Sequence, residues 1–151
     1  MSAYRQILYH IVFRTKYSET TVSQEYVSFL YKYIWGIIKN NKCVLYRING
    51  MEDHIHILSD LHPSVALADY IKDIKVSSSK WMKASGYFPD FKGWGIKYCA
   101  LTYSYKERDN LIHYIKNQQE HHKTESFRDE ISRLFKEHGI DMDEKWFWVD
   151  E

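Results

Sequence analysis

The chain has little cysteine, little proline and no long apolar run. Its 151 residues include only 2 cysteines and 2 prolines. Two cysteines are too few for a disulfide framework, and no apolar run approaches the ~20 residues that a membrane-spanning helix needs. Because the N-terminus also lacks a signal-peptide pattern, the sequence predicts a reduced, cytoplasmic protein.

A strong net charge is also missing. The chain has 21 Lys and Arg against 20 Asp and Glu, which leaves a formal net charge of +1. Such a balance provides no general attraction to nucleic acid, so any phosphate binding must come from local clusters of basic residues. Aromatic residues, in contrast, are abundant at 17%. Some of these rings are able to stack on bases, but most are expected in the core.

The order of predicted elements indicates the fold class. Alternating apolar residues predict strands, and apolar residues three or four positions apart predict helices. The strands are expected at 4–14, 43–48, 54–58 and 96–103, and the helices at about 21–40, 65–84 and 107–123. The β-α-β-β-α-β order is that of a ferredoxin-like (RRM-like) α+β fold, with two helices on one face of an antiparallel sheet. The other face is expected to be free for function, with the C-terminal helix 107–123 over it.

The length favours a single domain spanning residues 1–151, with a core at 4–123 and a tail at 124–151. The tail contains a short amphipathic helix and the aromatic run Trp146-Phe147-Trp148. Such a run is expected to dock on the domain or on a partner subunit.

Three local signals predict where elements begin or turn. Thr21 and Gln24 fit a capping box at the start of the first helix, and Ser64 fits the N-cap of the second. Asn49-Gly50 is the strongest short signal for a hairpin turn. The sequence therefore predicts that the strand after Asn49-Gly50 folds back on the strand before it.

Two histidines lie in that returning strand. His54 and His56 point to one face of the sheet, and Ile55 and Ile57 point to the other. Alternate strand residues are ~7 Å apart, so both imidazoles are able to bind one cation. If the isoleucines face the helices, the histidines face the free side, with His10 of the first strand nearby. Two half-exposed strand histidines without a third ligand are the alternative.

The helix 107–123 carries polar side chains on one face. Tyr114, Gln118 and His121 are spaced i, i+4 and i+7, so a phenol and an amide project together. An ordinary surface stripe is the alternative interpretation. His121 and His122 fit either a supporting position beside a site or the surface, so neither is assigned a role.

These motifs together resemble the single-tyrosine HUH transposases of the insertion-sequence two-hundred-like family. The resemblance is carried by Asp53-His54-Ile55-His56, by Trp94-Gly95 and by Tyr114-Ile115-Lys116-Asn117-Gln118 followed by His121-His122. The segments 10–16 and 73–81 are also similar to that family, so the resemblance covers most of residues 4–123.

The resemblance implies that His54, His56 and Gln118 bind a divalent metal and that Tyr114 attacks a phosphodiester of single-stranded DNA. Two neutral imidazoles and an amide oxygen leave the double charge of the cation available to a phosphate, and such a donor set suits Mg²⁺ or Mn²⁺. A phosphotyrosine bond keeps the reactivity of the phosphodiester, so a DNA hydroxyl is able to reverse it. This chemistry is that of a strand transferase.

The resemblance also implies recognition of a DNA hairpin at the ends of the element by a homodimer whose active sites are shared between subunits. Arg14 and Lys16 are the candidates for contacts with DNA phosphates. Two alternatives remain from the sequence: a non-catalytic nucleic-acid-binding module that uses the free sheet face, and a domesticated regulator that no longer mobilises DNA.

Overall fold

A four-stranded antiparallel sheet forms the centre of the molecule, which is described here by a computed structural model at residues 4–141 and 143–150. The strands are β1 (Leu8–Arg14), β2 (Leu45–Met51), β3 (His54–Asp60) and β4 (Cys99–Tyr103). Their order in the sheet is β2-β3-β1-β4. The central neighbours are therefore the first and third strands, as the ferredoxin-like order requires. The predicted α+β fold class is confirmed.

Helices cover both faces of this sheet. They are α1 (Val27–Asn40), α2 (Leu67–Ser85), α3 (Arg108–Lys116), α4 (Gln118–His121) and α5 (Phe127–Glu137). Short 3-10 turns lie at Lys16–Ser18, Tyr105–Glu107 and Glu144–Trp148. Within the described residues, none of the helices is both long enough and apolar enough to cross a membrane.

One face of the sheet, called the apolar face below, packs against α1 and α2. The side chains that it contributes from β1 and β3 are fully buried: Ile11, Phe13, Ile55 and Ile57. They contact apolar residues of α1 and α2, including Leu30, Ile34, Tyr70 and Ile74. Because burying one such side chain contributes about 1.5–3 kcal/mol, this layer supplies much of the stability of the fold.

The opposite face, called the polar face below, is covered by the tyrosine-bearing helix as predicted, but the expectation that it is otherwise free is wrong. Helix α3 packs on Leu8 and Leu58. Helix α5 and the C-terminal segment pack on Val12, Cys99 and Leu101. The aromatic tail thus docks on its own chain, because its apolar side chains and those of α5 need a surface to bury.

The hairpin turn lies beyond the predicted Asn49-Gly50. Strand β2 continues through both residues to Met51, which pairs with His54, and the turn is at 52–53. Gly50 is required by close packing, since a Cβ there would lie 2.2 Å from the carbonyl oxygen of His54. The Asn49 amide instead donates to the last carbonyls of α3, at 3.0 Å each. Both residues therefore make tertiary contacts instead of forming the turn. An Asn-Gly pair in the sequence does not distinguish these two roles.

The predicted helix caps are also wrong. Thr21 and Gln24 form no capping box, because the Gln24 amide donates to a backbone carbonyl two residues earlier and α1 begins later. Ser64 also precedes its helix, and its hydroxyl lies 2.7 Å from Nδ1 of His62. The predicted helix 107–123 is divided at Asn117, whose φ and ψ of −98° and 25° separate α3 from α4.

Candidate metal and tyrosine site

Strand β3 directs two histidines into the centre of the polar face. His54 is 1% exposed and His56 is 0% exposed, and their ring centroids are 5.1 Å apart. Each ring is oriented through Nδ1: Asp53 Oδ1 lies 2.6 Å from that atom of His54, and His10 Nε2 lies 2.8 Å from that atom of His56. Both Nε2 atoms are thereby left facing the interior of the site.

Helices α3 and α4 bring the tyrosine and the glutamine to the same place. Gln118 is fully buried, and its amide nitrogen lies 3.4 Å from Oε2 of Glu130. The Tyr114 hydroxyl donates to the same Oε2 and accepts from the Arg133 guanidinium at 2.8 Å. The structure therefore gathers Tyr114, Gln118 and the histidine pair around one carboxylate.

That carboxylate belongs to Glu130 of α5, whose side chain is fully buried. Its Oε1 lies 3.2 Å from Nε2 of His56, 3.2 Å from Nε2 of His122 and 3.7 Å from Nε2 of His54. The carboxylate thus connects three imidazoles on one side to the phenol of Tyr114 on the other.

Glu130 was not among the residues predicted from the sequence, and His122 was predicted without a role. A signal for Glu130 was present, because it lies on the buried stripe of α5 formed by Phe127, Ile131 and Leu134. A charged side chain on such a stripe is costly to bury unless it meets a partner. For His122 the sequence offers no comparable signal, because its position depends on where α4 packs.

Burial and charge set the protonation of the site. Burial lowers the pKa of His54 to about 4, so this ring is neutral at pH 7. Burial alone would raise the pKa of Glu130, but the charge of His56 and hydrogen bonds from His122, His56 and Tyr114 lower it far below its usual range. Burial and the nearby Glu130 charge raise the pKa of Tyr114. The phenol is therefore protonated beside an ionised carboxylate.

The donor set fits a divalent metal ion. Among the described residues, Nε2 of His54 has no hydrogen-bond partner although it is buried. His54, His56, His122 and Glu130 each offer one ligand atom, and these atoms lie within 4.8 Å of one another. An imidazole that contacts a carboxylate through one nitrogen and leaves the other free is the common arrangement of a metal-binding histidine. Gln118 adjoins the group, since its Oε1 lies 2.9 Å from Nε2 of His122.

The two candidate DNA-binding residues lie in different surroundings. Arg14 is fully buried. Its guanidinium forms a bidentate ion pair with Asp150, at 2.8 and 3.1 Å, and also donates to the Phe147 carbonyl. Its charge is thus neutralised by the C-terminal segment. Lys16 is half-buried and lines an open cleft of about 410 Å³, to which basic side chains also come from Lys75, Lys80 and Lys92.

The site is assembled within one chain. Tyr114 and His56 contact the two oxygens of a single Glu130 side chain, so no second subunit is required to bring them together. A homodimer with shared sites stays a prediction.

Comparisons with known proteins agree with this fold. The family described as "Transposase IS200 like" matches residues 3–118. The ISDra2 transposase TnpA of Deinococcus radiodurans is 27% identical over 122 residues, which cover 76% of this chain and 86% of that protein.

Solved structures give the same result. A crystal structure of a Deinococcus radiodurans R1 protein described as a transposase has a TM-score of 0.61 and 27% identity, covering 78% of this chain and 95% of that one. A REP-associated tyrosine transposase bound to a REP hairpin has a TM-score of 0.58 and covers 81% and 74%, but at 13% identity it shows the fold alone. Because the family match extends over most of its length, the chain belongs to the IS200-like transposase family.

Proposed function

We propose that this transposase cleaves and rejoins single-stranded DNA through a covalent bond to Tyr114. The observation that carries the proposal is the convergence of Tyr114, Gln118 and the histidine pair of β3 on the polar face. A phenol, an amide oxygen and two imidazoles are groups that can support a metal-assisted attack on a phosphodiester.

Glu130 and Arg133 both contact the Tyr114 hydroxyl. Its hydroxyl must lose a proton to attack phosphorus, and the carboxylate of Glu130 already accepts that hydrogen. The Arg133 guanidinium, 2.8 Å from the same oxygen, stabilises the negative charge that develops on it. The bond from Tyr114 to phosphorus forms as the bond to the DNA 3′-oxygen breaks. Attack by a DNA 3′-hydroxyl on the phosphotyrosine then restores the phosphodiester and frees the tyrosine.

The proposed cofactor is a divalent cation, Mg²⁺ or Mn²⁺, held by His54, His56 and Gln118. When bound, such an ion polarises the phosphate and neutralises charge on its oxygens. The protein residues orient the donors: Asp53 and His10 fix the two imidazole rings, as metal-binding histidines require.

The proposed DNA partner is a single strand that carries a hairpin at the end of the element. Two observations support it: a transposase of similar fold is bound to a REP hairpin, and Lys16 lies in a cleft with three other lysines. Lysines in a cleft attract phosphates without reading sequence. Arg14 is omitted from this interface because Asp150 holds it inside the protein. The proposed assembly is a homodimer, which light scattering at micromolar concentration tests.

The catalytic assignment is tested by incubating the protein with hairpin-bearing single-stranded DNA and Mn²⁺ and resolving covalent adducts on a denaturing gel. Wild type and Tyr87→Phe, which alters an exposed tyrosine outside the site, should form the adduct. Tyr114→Phe should form none. Adduct at equal yield in Tyr114→Phe would refute the assignment, and hairpin binding by wild type without any cleavage would favour a non-catalytic binding module.

A further inference from the structure

We propose that Glu130 is a metal ligand in this chain, and that it and His122 join His54 and His56 in a site that prefers Mn²⁺ or Zn²⁺ to Mg²⁺. The proposal rests on the proposed function in one respect, because it concerns the metal of the same site. It adds two ligands that lie outside the family match, which ends at residue 118. Glu130 belongs to α5 and His122 follows α4.

Contacts at Nδ1 orient the imidazoles so that their Nε2 atoms face Glu130, and Nε2 of His54 has no hydrogen-bond partner. Nδ1 of His54 contacts the Asp53 carboxylate at 2.6 Å, and Nδ1 of His122 contacts the Glu125 carbonyl at 2.9 Å. A carboxylate and a carbonyl only accept, so both Nδ1 atoms carry a hydrogen, and Nε2 of the neutral His54 ring has a lone pair. Nε2 of His56 and Nε2 of His122 face the same Glu130 oxygen.

Glu130 Oε1 faces all three Nε2 atoms, so the lone pair of the His54 nitrogen is turned towards a carboxylate oxygen. Its distances to the three Nε2 atoms are 3.2, 3.2 and 3.7 Å. Lone pairs so arranged inside a protein repel one another unless a proton or a cation lies between them. Ligand atoms ~2.0–2.2 Å from one ion are roughly 3.0–3.6 Å from each other, and the three distances from Glu130 Oε1 to the imidazole nitrogens are close to that range.

The composition of the site determines which cation it prefers. Imidazole nitrogens suit Zn²⁺ and other transition metals, and the single carboxylate also suits Mn²⁺. Mg²⁺ takes oxygen ligands and keeps several waters, so a site with three nitrogens is poor for it. The second oxygen of Glu130 accepts from Tyr114, so one carboxylate joins the metal donors to the nucleophile.

Metal binding by the metal-free, full-length protein tests the proposal without any cleavage assay. Mn²⁺ affinity is measured by electron paramagnetic resonance of the free ion, and coordination is followed by the visible absorption of bound Co²⁺. Glu130→Gln, which keeps the shape and removes the charge, should weaken Mn²⁺ binding by about tenfold or more and change the Co²⁺ spectrum. Glu137→Gln, a half-exposed position later in α5, should change neither. Mg²⁺ should compete only weakly.

A second donor variant keeps the test decisive if Glu130→Gln fails to fold. His122→Ala removes the other ligand that only this proposal assigns, and it should weaken Mn²⁺ binding in the same way. Unchanged Mn²⁺ affinity and an unchanged Co²⁺ spectrum in either folded variant would overturn the proposal, as would equal affinity for Mg²⁺ and Mn²⁺. His54→Ala separates this failure from that of the proposed function: if it also binds metal as wild type does, the metal site itself is refuted.

Discussion

The two faces of strand β3 are equally buried and chemically opposite. Ile55 and Ile57 are 0% exposed on the apolar face, and His54 and His56 are 1% and 0% exposed on the polar face. On the apolar face burial itself is favourable, so any well-packed apolar neighbours suffice. On the polar face each buried nitrogen needs a specific partner, because burying it without one costs free energy.

The segments that cover the two faces of the sheet also differ in their relation to the family match. Helices α1 and α2 lie inside the segment that matches the family, whereas α5 and the C-terminal segment lie beyond residue 118. The segment beyond the family match supplies Glu130 and helps to bury the site. In this transposase the polar face is therefore completed by residues that the family match does not include.

The largest effects are expected from two separate substitutions, one on each face of β3. His56→Ala should lower cleavage roughly a thousandfold or more, because it removes a metal ligand, while hairpin binding stays nearly intact. Ile57→Ala should keep the site residues but lower the free energy of unfolding by about 2–5 kcal/mol through the cavity that it leaves. Cleavage of a hairpin-bearing oligonucleotide, hairpin binding and urea unfolding are measured for both variants.

A comparable loss of hairpin binding and cleavage in His56→Ala would contradict the metal-binding role of His56. In that case the polar face would be a binding platform, and its histidines would act on the DNA directly. Ile57→Ala provides the control, because its cleavage at a temperature where it is folded should match that of wild type.

The difference between the faces also explains what the sequence reveals. The residues of the apolar face can be predicted from the spacing of apolar residues, because the alternation in β3 and the helical spacing in α2 are local features of the sequence. The pair His54 and His56 is likewise visible as two residues on one side of a strand. Glu130 lies 74 positions from His56, so their contact depends on how α5 packs, and no local pattern encodes that distance.

Gly50 shows the same limit on a smaller scale. As half of an Asn-Gly pair it satisfies the turn signal, yet its glycine is needed for the approach of the His54 carbonyl. Turn residues are recognised by local conformation, and a close contact between strands favours the same residue for another reason.

The next prediction concerns the ion pair that holds the C-terminal segment on the polar face. The side chains of Arg14 and Asp150 are 0% and 3% exposed, so Asp150→Asn leaves a buried guanidinium without its charge partner. We expect the free energy of unfolding to fall by about 3–5 kcal/mol. Urea unfolding at pH 7 measures it, and Asp143→Asn, at an exposed pair with Lys145, should change it by less than about 1 kcal/mol.

The same ion pair predicts a pH dependence. Burial alone would raise the pKa of Asp150, but hydrogen bonds from Arg14 and from the backbone of Tyr17 and Ile96 lower it. Between the ordinary and the lowered pKa the unfolded chain binds more protons than the native one. This contribution is therefore present at neutral pH and is lost as the pH falls through the lowered pKa. Asp150→Asn should show a smaller loss of stability over that range, and an identical pH profile would contradict the assignment.

A smaller effect tests the hairpin that sets which residues face which side. Gly50→Ala should lower the free energy of unfolding by about 1–3 kcal/mol, because the new Cβ meets the His54 carbonyl. Gly36→Ala in α1 meets no atom within 4 Å and should raise stability by about 0.5–1 kcal/mol. Thermal unfolding distinguishes the two, and a stabilising Gly50→Ala would refute the observed register.

The prediction with the smallest effect tests whether the helices on the two faces of the sheet unfold together. Ser126 caps α5, its hydroxyl accepting from the Asp129 backbone at 3.1 Å, so Ser126→Ala should cost about 1 kcal/mol. Ser28→Ala in α1 removes no such bond and serves as the matched control. If α5 and the C-terminal segment unfold without the rest of the domain, Ser126→Ala should speed amide hydrogen exchange in α5 and leave α1 protected. Faster exchange in both helices would mean instead that the two faces unfold as one unit, and that Glu130 leaves the histidines only when the whole domain unfolds.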